Sequence, residues 1–232
     1  MVDFHSHILP GMDDGSKSVE ESLEMLRLAR AQGVRRIVAT PHFYPRRDTP
    51  EHFLRKRRQA ERLLRRAMQG REDLPALTMG AEVAYFRGIG QSEAMDALTL
   101  RGTPYLLVEM PPSPWTEGMY EELQTLHERG ITPIIAHVDR YIGPWRSYGI
   151  PARLEKLPVL VQANAEFFLR RSTASMAMRM LKANRIHLLG SDCHNLTDRK
   201  PNLGDAAERI RQKLGREALV ELRRHERQVL GL

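Results

Sequence analysis

Short apolar runs of strand length recur along the chain, and segments with helical spacing of apolar residues separate them. Runs of this kind, bounded by turn signals and alternating with helices, are typical of the strands of a parallel sheet. The pattern predicts seven strands, around residues 2–4, 36–40, 77–82, 105–109, 131–137, 159–164 and 186–190.

The intervening segments predict amphipathic helices. The first has a capping box, with Ser18 followed three residues later by Glu21, and is expected to stop near Gly33. Residues 144–158 predict irregular structure with one short helix. Further helices are predicted at about 50–69, 116–129, from 164 to 184 with a methionine-rich core face, 203–214 and 216–230.

Polar residues with metal-binding side chains follow six of the seven predicted strands, and the remaining strand ends near Asn164. In (β/α) barrels, functional groups gather at the carboxyl ends of the strands, whereas an open doubly wound sheet offers one crevice. We therefore predict an α/β protein with a single domain over residues 1–232, folded as a distorted (β/α)7 TIM-like barrel. The candidate site residues at the strand ends are His5, His7, Asp14, His42, Glu82, Glu109, His137, Asp192 and His194.

His5 and His7 are the nucleus of this predicted site. On an extended backbone, residues i and i+2 point to the same side, so the two imidazoles converge. Neutral imidazole binds zinc, manganese and iron well. Nine potential ligands exceed the four to six of one ion, but suit two or three ions that share a carboxylate.

Composition limits the alternatives. Apolar residues make up 41% of the 232 residues, which suffices for a large core. We expect no membrane span, because no run of about 18 apolar residues occurs. The polar N-terminus does not resemble a signal peptide. The only cysteine, Cys193, fits a reducing cytoplasm, which is the predicted location.

The chain carries a formal charge of +7, and its basic residues concentrate at 55–58, Arg62, Arg65 and Arg66. Apolar residues recur at helical spacing in the same segment, so we favour a solvated basic face on an amphipathic helix. We expect no nucleic-acid partner, although such patches can neutralise phosphates. A third interpretation is that the face attracts an anionic protein substrate.

Several motifs together resemble a known family. They are His5-Ser-His7-Ile-Leu-Pro-Gly-Met-Asp-Asp14-Gly, Ala-Thr-Pro-His42, Gly-Ala-Glu82, Leu-Val-Glu109, Ala-His137-Val-Asp-Arg140-Tyr and Gly-Ser-Asp192-Cys-His194-Asn. In these motifs the chain resembles the polymerase and histidinol phosphatase (PHP) superfamily of metal-dependent phosphoesterases. Within it, the chain is similar to bacterial manganese-dependent tyrosine-protein phosphatases of capsule and exopolysaccharide systems.

The resemblance implies a cluster of three divalent ions, manganese foremost, with iron or zinc also compatible with these ligands. It assigns one ion to His5, His7, Glu82 and Asp192, a second to Glu82, Glu109 and His137, and a third to Asp14, His42 and His194. It also implies that Arg140 and Arg199 bind phosphate. Asp139 is the candidate for a general acid.

The implied activity is hydrolysis of phosphotyrosine, in which a metal-bound hydroxide attacks phosphorus. The implied partner is a phosphotyrosine protein, most directly the tail of a bacterial tyrosine kinase. The alternative is a PHP phosphatase for a small phosphomonoester such as histidinol phosphate. A further alternative uses Cys193 and Arg199, which have the spacing of cysteine-dependent phosphatases but no glycine between them.

Overall fold

A computed structural model describes residues 1–142 and 149–231 of the chain. Its strands form a curled parallel sheet, in which all paired strands run in the same direction. The strands are β1 (Val2–Ser6), β2 (Arg36–Ala39), β3 (His42–Phe43), β4 (Ala76–Met79), β5 (Glu82–Ala84), β6 (Tyr105–Glu109), β7 (Thr132–Ile135), β8 (Leu160–Asn164) and β9 (Leu188–Gly190).

The sheet has two hydrogen-bonded parts, ordered β1-β2-β4 and β3-β5-β6-β7-β8-β9. The last strand returns to the first, because Ser6 at the end of β1 forms a parallel bridge with Cys193, just after β9. There the backbone N–H of Asp192 donates to the carbonyl of His5 over 2.8 Å. The first strand and the segment after the last strand therefore meet.

The α/β class and the curled parallel sheet are confirmed, but the number of seven β/α units is not. The predicted strand over 77–82 is divided into β4 and β5, and β3 is a separate strand shortly after β2. Pro41 has no N–H to continue a ladder after β2. Gly80, between β4 and β5, lies where an added Cβ would come within 2.6 Å of Leu100.

The helices lie mostly where the periodicity places them. Residues 143–148, part of the segment predicted as irregular, lie outside the described residues, and its short helix is α4. The methionine-rich helix divides into α5 and α6. The helices are α1 (Val19–Ala31), α2 (Pro50–Met68), α3 (Glu117–Glu128), α4 (Ile150–Leu154), α5 (Ala165–Leu169), α6 (Ala174–Lys182), α7 (Leu203–Leu214) and α8 (Arg216–Leu230).

Helix α1 shows why these segments are helical. Ser18 caps it by accepting a hydrogen bond from the backbone N–H of Glu21 over 3.2 Å. Leu26 and Ala29 on its inner face are fully buried. The chain leaves the helix through Gly33, whose φ of 84° is accessible to glycine at little cost. Among the residues the structure describes, no helix has the length and apolar character needed to cross a bilayer.

The basic helix α2 is amphipathic, as predicted, but not all of its arginines are solvated. Arg57 is buried and donates to the carbonyl of Gly80 over 2.6 Å. Arg65 donates to the carbonyl of Leu77 over 3.0 Å. These two hydrogen bonds hold α2 against β4 and the residue that follows it. The solvated basic face of α2 therefore consists of its other basic residues.

A buried carboxylate joins the first strand to the last. Asp3 in β1 accepts hydrogen bonds from the Ser191 backbone N–H over 2.9 Å and from the Ser191 hydroxyl over 2.6 Å. Its Oδ1 also accepts from the backbone N–H of His5 over 3.2 Å. Asp3 therefore fixes the spacing between the segments that carry the histidines of β1 and the residues after β9.

We predict that Asp3→Ala lowers the free energy of unfolding by about 2–4 kcal/mol, because it leaves several buried donors without an acceptor. Urea unfolding followed by circular dichroism measures this change. Asp73→Ala, at an exposed position, is the matched control and should stay within about 0.5 kcal/mol of the parent. Equal stability of the two variants would contradict the proposed role of Asp3 in joining the first strand to the last.

Candidate metal centre

The structure brings all nine candidate ligands together at the carboxyl ends of the strands. Each has a ring nitrogen or carboxylate oxygen within 3.6 Å of another member. The cluster consists of His5 in β1, His7 and Asp14 after it, His42 in β3, Glu82 in β5, Glu109 at the end of β6, His137 after β7, and Asp192 and His194 after β9.

Glu82 occupies the middle of this cluster and is fully buried. Its Oε2 lies 3.1 Å from Nε2 of His5, 3.3 Å from Nε2 of His7 and 2.9 Å from Nδ1 of His42. Its Oε1 lies 2.8 Å from Nε2 of His137. A carboxylate so placed has the geometry to bridge two ions.

Three subsets have candidate ligand atoms that all lie within 4.8 Å of one another. The subsets share His7 and His42, so the cluster is continuous rather than three separate sites. They are His5, His7 and Asp192; His7, Asp14, His42 and His194; and His42, Glu82 and Glu109.

The backbone takes unusual conformations where it presents two of these residues. His137 has a φ of 31° and Asp192 a φ of 53°, in the left-handed region that non-glycine residues rarely adopt. Such conformations cost free energy and cluster at functional sites. Gly190 lets β9 approach His5 closely, since an added Cβ would lie 2.5 Å from the His5 Cβ.

Hydrogen bonds fix which nitrogen of each early histidine carries the proton. Nδ1 of His5 lies 3.1 Å from Oε1 of Gln162, and Nδ1 of His7 lies 2.7 Å from Oδ2 of Asp13. Both acceptors require an N–H, so each Nε2 bears a lone pair whenever its ring is neutral. The two Nε2 atoms lie only 3.1 Å apart. A proton or a metal ion between them would relieve the repulsion of two lone pairs.

His194 is arranged in the same way. Its Nδ1 lies 2.9 Å from the carbonyl oxygen of Asp192, to which it must donate. Its Nε2 is buried with no hydrogen-bond partner. Burial, together with the charge on His7, lowers the pKa of His194 to about 4. The ring is therefore neutral at pH 7, and its free lone pair is available to a metal ion.

The cluster contains four carboxylates, Asp14, Glu82, Glu109 and Asp192, whose negative charge favours the binding of protons or cations. Burial alone would lower the pKa of His137, but hydrogen bonds to Glu109 and Glu82 raise it to about 9. Hydrogen bonds to Asp13, Asp192 and Glu82 similarly overcome burial and raise the pKa of His7. Protons or metal ions can compensate this negative charge, and the set of nitrogen and oxygen donors fits divalent metals.

Two arginines border the cluster. Arg140 places Nη2 2.5 Å from Oδ2 of Asp192, and Arg199 places Nη2 2.9 Å from Oδ1 of the same carboxylate. Both line a cavity of about 440 Å³ together with Asp139. Oδ1 of Asp139 accepts from the backbone N–H of Asn164 over 2.9 Å, and burial raises the Asp139 pKa.

The sequence matches a family of known proteins over nearly its whole length. The family described as capsular polysaccharide synthesis, CpsB/CapC, matches residues 1–230. The chain belongs to the CpsB/CapC family. The predicted resemblance to a family of capsule systems is thereby confirmed.

Among curated relatives of this family, tyrosine-protein phosphatase CpsB of Streptococcus pneumoniae is 31% identical, covering 96% of this chain and 94% of that protein. Tyrosine-protein phosphatase YwqE of Bacillus subtilis is 30% identical, covering 94% of this chain and 86% of that protein.

Solved structures show the same fold. A structure from a study of YwqE of Bacillus subtilis and CpsB of Streptococcus pneumoniae, described as metal-dependent tyrosine phosphatases, matches with a TM-score of 0.83 and 26% identity. The match covers 98% of this chain and 93% of that one. A phosphotriesterase homology protein from Escherichia coli, 13% identical with a TM-score of 0.56, is similar in fold alone, covering 98% and 97% of the two chains.

Sequence reasoning missed two residues that orient ligands in this CpsB/CapC chain. Asp13 accepts from Nδ1 of His7 and from the backbone N–H of His42 over 2.9 Å. Gln162 accepts from His5 and from the backbone N–H of His137 over 2.7 Å. A glutamine inside the apolar run of β8 is the signal that could have revealed the second.

Cys193 is not placed for nucleophilic attack in this family member. The thiol is fully buried, and burial raises its pKa. Because the thiolate is the nucleophile in such enzymes, this burial argues against the Cys193 alternative.

We predict that Cys193 in the folded protein reacts with a thiol reagent at pH 8 at least about 100-fold more slowly than in urea-unfolded protein, because the thiolate is neither exposed nor stabilised. Labelling with iodoacetamide followed by mass spectrometry measures both rates. Similar rates in the two states, at a pH where the fold is intact, would show that the thiol is accessible.

Proposed function

We propose that this chain is a metal-dependent protein-tyrosine phosphatase. The observation that carries the proposal is one cluster of nine imidazole and carboxylate side chains, bordered by two arginines that pair with its Asp192. Family membership supports it, since curated relatives carry the name tyrosine-protein phosphatase. A binding module for nucleic acid would need neither buried carboxylates nor unprotonated imidazole nitrogens that converge.

The ligand sets argue for three divalent ions. We assign one ion to His5, His7, Glu82 and Asp192, another to Glu82, Glu109 and His137, and a third to Asp14, His42 and His194. Manganese is the metal we propose, and iron and zinc accept the same donors. Bound there, divalent ions would supply Lewis acidity, activating a water and neutralising phosphoryl oxygens.

The residues around the ions bind and orient the substrate. Arg140 and Arg199 would leave Asp192 to pair with phosphoryl oxygens, a task for which the planar guanidinium is suited. Their charge would offset that which develops in the transition state. Asp139 is the proposed proton donor, because burial raises its pKa and because it lines the same cavity.

The proposed substrate is phosphotyrosine in a protein, and specifically the tail of a bacterial tyrosine kinase. A phenolate leaving group has a conjugate-acid pKa near 10 and needs little protonation. Hydrolysis of a small phosphomonoester such as histidinol phosphate is not favoured, because the relatives above are protein phosphatases by name.

The same family membership supports the finer structural assignments. We propose that β2 with β3 and β4 with β5 are interrupted single strands, which gives seven units of a distorted PHP-type barrel. We further propose one domain over the whole chain and a cytoplasmic location, consistent with a free, buried thiol at the only cysteine.

Removing metal is expected to abolish hydrolysis of a phosphotyrosine peptide, and adding Mn²⁺ back should restore it. His42→Ala and Arg140→Ala should each lower kcat/KM by about 100-fold, because they remove a ligand and a phosphate-binding charge. Steady-state kinetics with metal-loaded protein measure the changes.

The matched control is Arg27→Ala, which removes an exposed arginine paired with Glu24 on α1. It should leave kcat/KM unchanged. Full turnover after exhaustive dialysis against chelator would refute the proposed function.

Asp13→Ala is expected to weaken metal binding by about 10–100-fold, because the carboxylate fixes the tautomer and orientation of His7. Competition with a chromophoric chelator measures the affinity without reference to activity. Asp48→Ala is the control, since Asp48 makes a similar contact with the exposed His52, 2.5 Å away. Equal affinities of the two variants would contradict a positioning role for Asp13.

A further inference from the structure

The outer face of α2 holds arginines that have no acidic partner. Some exposed arginines on other helices pair with carboxylates, as Arg211 does with Glu208 over 2.7 Å. The described contacts give no such pair to Arg216, Arg223 and Arg227 on α8. Among the described residues, no carboxylate oxygen lies within 4.0 Å of the guanidinium groups of Arg55, Arg58, Arg62 or Arg66.

These four arginines follow one another at spacings of three or four residues, so they lie on successive turns of one face. Leu64, fully buried, marks the opposite side of the helix. Like charges at this spacing destabilise a helix by a few tenths of a kcal/mol per pair. The arrangement therefore does not serve the stability of α2. We call the face formed by Arg55, Arg58, Arg62 and Arg66 the basic strip.

An apolar side chain lies beside the basic strip. Leu63 has 48% of its surface exposed and is, with Val220, one of two large hydrophobic residues so exposed in the described part of the chain. It is adjacent to Arg62 and one turn beyond Gln59, which lines a shallow groove with Arg55 and Arg62. A cationic strip with an apolar residue at its edge suits a peptide better than a uniform polyanion.

The basic strip begins close to the candidate metal centre. The ring of Tyr44 stacks on the imidazole of His42 with centroids 5.0 Å apart, and Arg47 lies over that ring at 5.2 Å. Asp48 then bonds back to the carbonyl of Tyr44 over 3.1 Å, and α2 begins at Pro50. Arg57 then contacts Gly80, just after the carboxyl end of β4, and Arg65 contacts Leu77, near its start. The helix therefore leads away from the candidate metal centre.

We propose that the basic strip docks an acidic segment of the substrate protein that flanks its phosphotyrosine. From Pro50 to Arg66 the helix extends about 24 Å at 1.5 Å per residue. An extended peptide spans that length with about seven residues at 3.3 Å each. The acidic residues should therefore lie within about seven residues of the phosphotyrosine. This inference depends on the proposed function.

The test compares three phosphate esters: a phosphotyrosine peptide with acidic flanks, the same peptide with neutral flanks, and p-nitrophenyl phosphate. The variant is the triple charge reversal Arg55→Glu, Arg58→Glu and Arg62→Glu. At about 50 mM NaCl, kcat/KM for the acidic peptide should fall about tenfold, since long-range attraction becomes repulsion. Turnover of the other two esters should stay within about twofold of the parent, which also shows that the variant folds.

Salt and a second triple variant serve as controls. At about 0.5 M NaCl the difference between parent and variant should disappear, because exposed charges are screened. Arg216→Glu, Arg223→Glu and Arg227→Glu on α8 change the net charge equally but should leave all three esters unaffected. An acidic-peptide kcat/KM that is insensitive to reversal on α2, or equally sensitive to reversal on α8, would overturn the proposal.

Binding without turnover separates this proposal from the proposed function. The unphosphorylated acidic peptide, followed by fluorescence anisotropy, should bind the α2 variant about tenfold more weakly than the parent. If the parent hydrolyses none of the esters, the proposed function fails while this measurement still decides docking. Single-stranded DNA is tested in the same way. If charge reversal on α2 abolishes DNA binding but leaves binding of the acidic peptide unchanged, the basic strip binds nucleic acid and the proposal is overturned.

Discussion

The structure depends on one constraint: imidazole nitrogens and carboxylate oxygens are buried together in a single cluster, where their lone pairs and negative charges must be compensated. Nε2 of His5 and Nε2 of His7 face each other at 3.1 Å, and Oε2 of Glu82 lies as close. An assembly of this kind is stable only when protons or cations occupy it, because an uncompensated buried charge is costly. Hydrogen bonds that the imidazoles donate to Asp13 and Gln162 hold the two rings in this arrangement. The site is therefore organised around ions rather than around a nucleophilic side chain.

The same constraint explains why the first and last strands lie side by side. Ligands near residue 5 and near residue 192 belong to one cluster, so the cluster forms only when β9 lies beside β1. Asp3 and Ser191 secure that junction with short hydrogen bonds. Contacts this distant in sequence carry a loop-closure cost that packing and hydrogen bonds must offset. A metal ion bound by these ligands would therefore stabilise the completed fold.

Much of the fold and the site follows from local pattern in the sequence. His5 and His7 after an apolar run, Glu82 and Glu109 at strand ends, and the capping box at Ser18 all lie where period and spacing place them. Pairing across the sheet is not local, so the breaks at Pro41 and Gly80 could not be predicted from strand pattern. Gln162 is recognisable in the sequence as a polar residue within the apolar run of β8. Its partner His5 lies far away in sequence, so their contact cannot be predicted from local pattern. Likewise, Arg57 and Arg65 are indistinguishable in sequence from the arginines that face solvent.

The burial of Cys193 has a consequence for the conditions under which the protein can work. Enzymes that attack phosphorus with an activated thiolate lose activity when peroxide converts that sulfur to a sulfenic acid. In this chain the sulfur is fully buried within the hydrophobic core, and burial raises its pKa. Peroxide therefore meets no exposed thiolate, and hydrolysis at a site without a cysteine nucleophile would not be stopped by formation of a sulfenic acid.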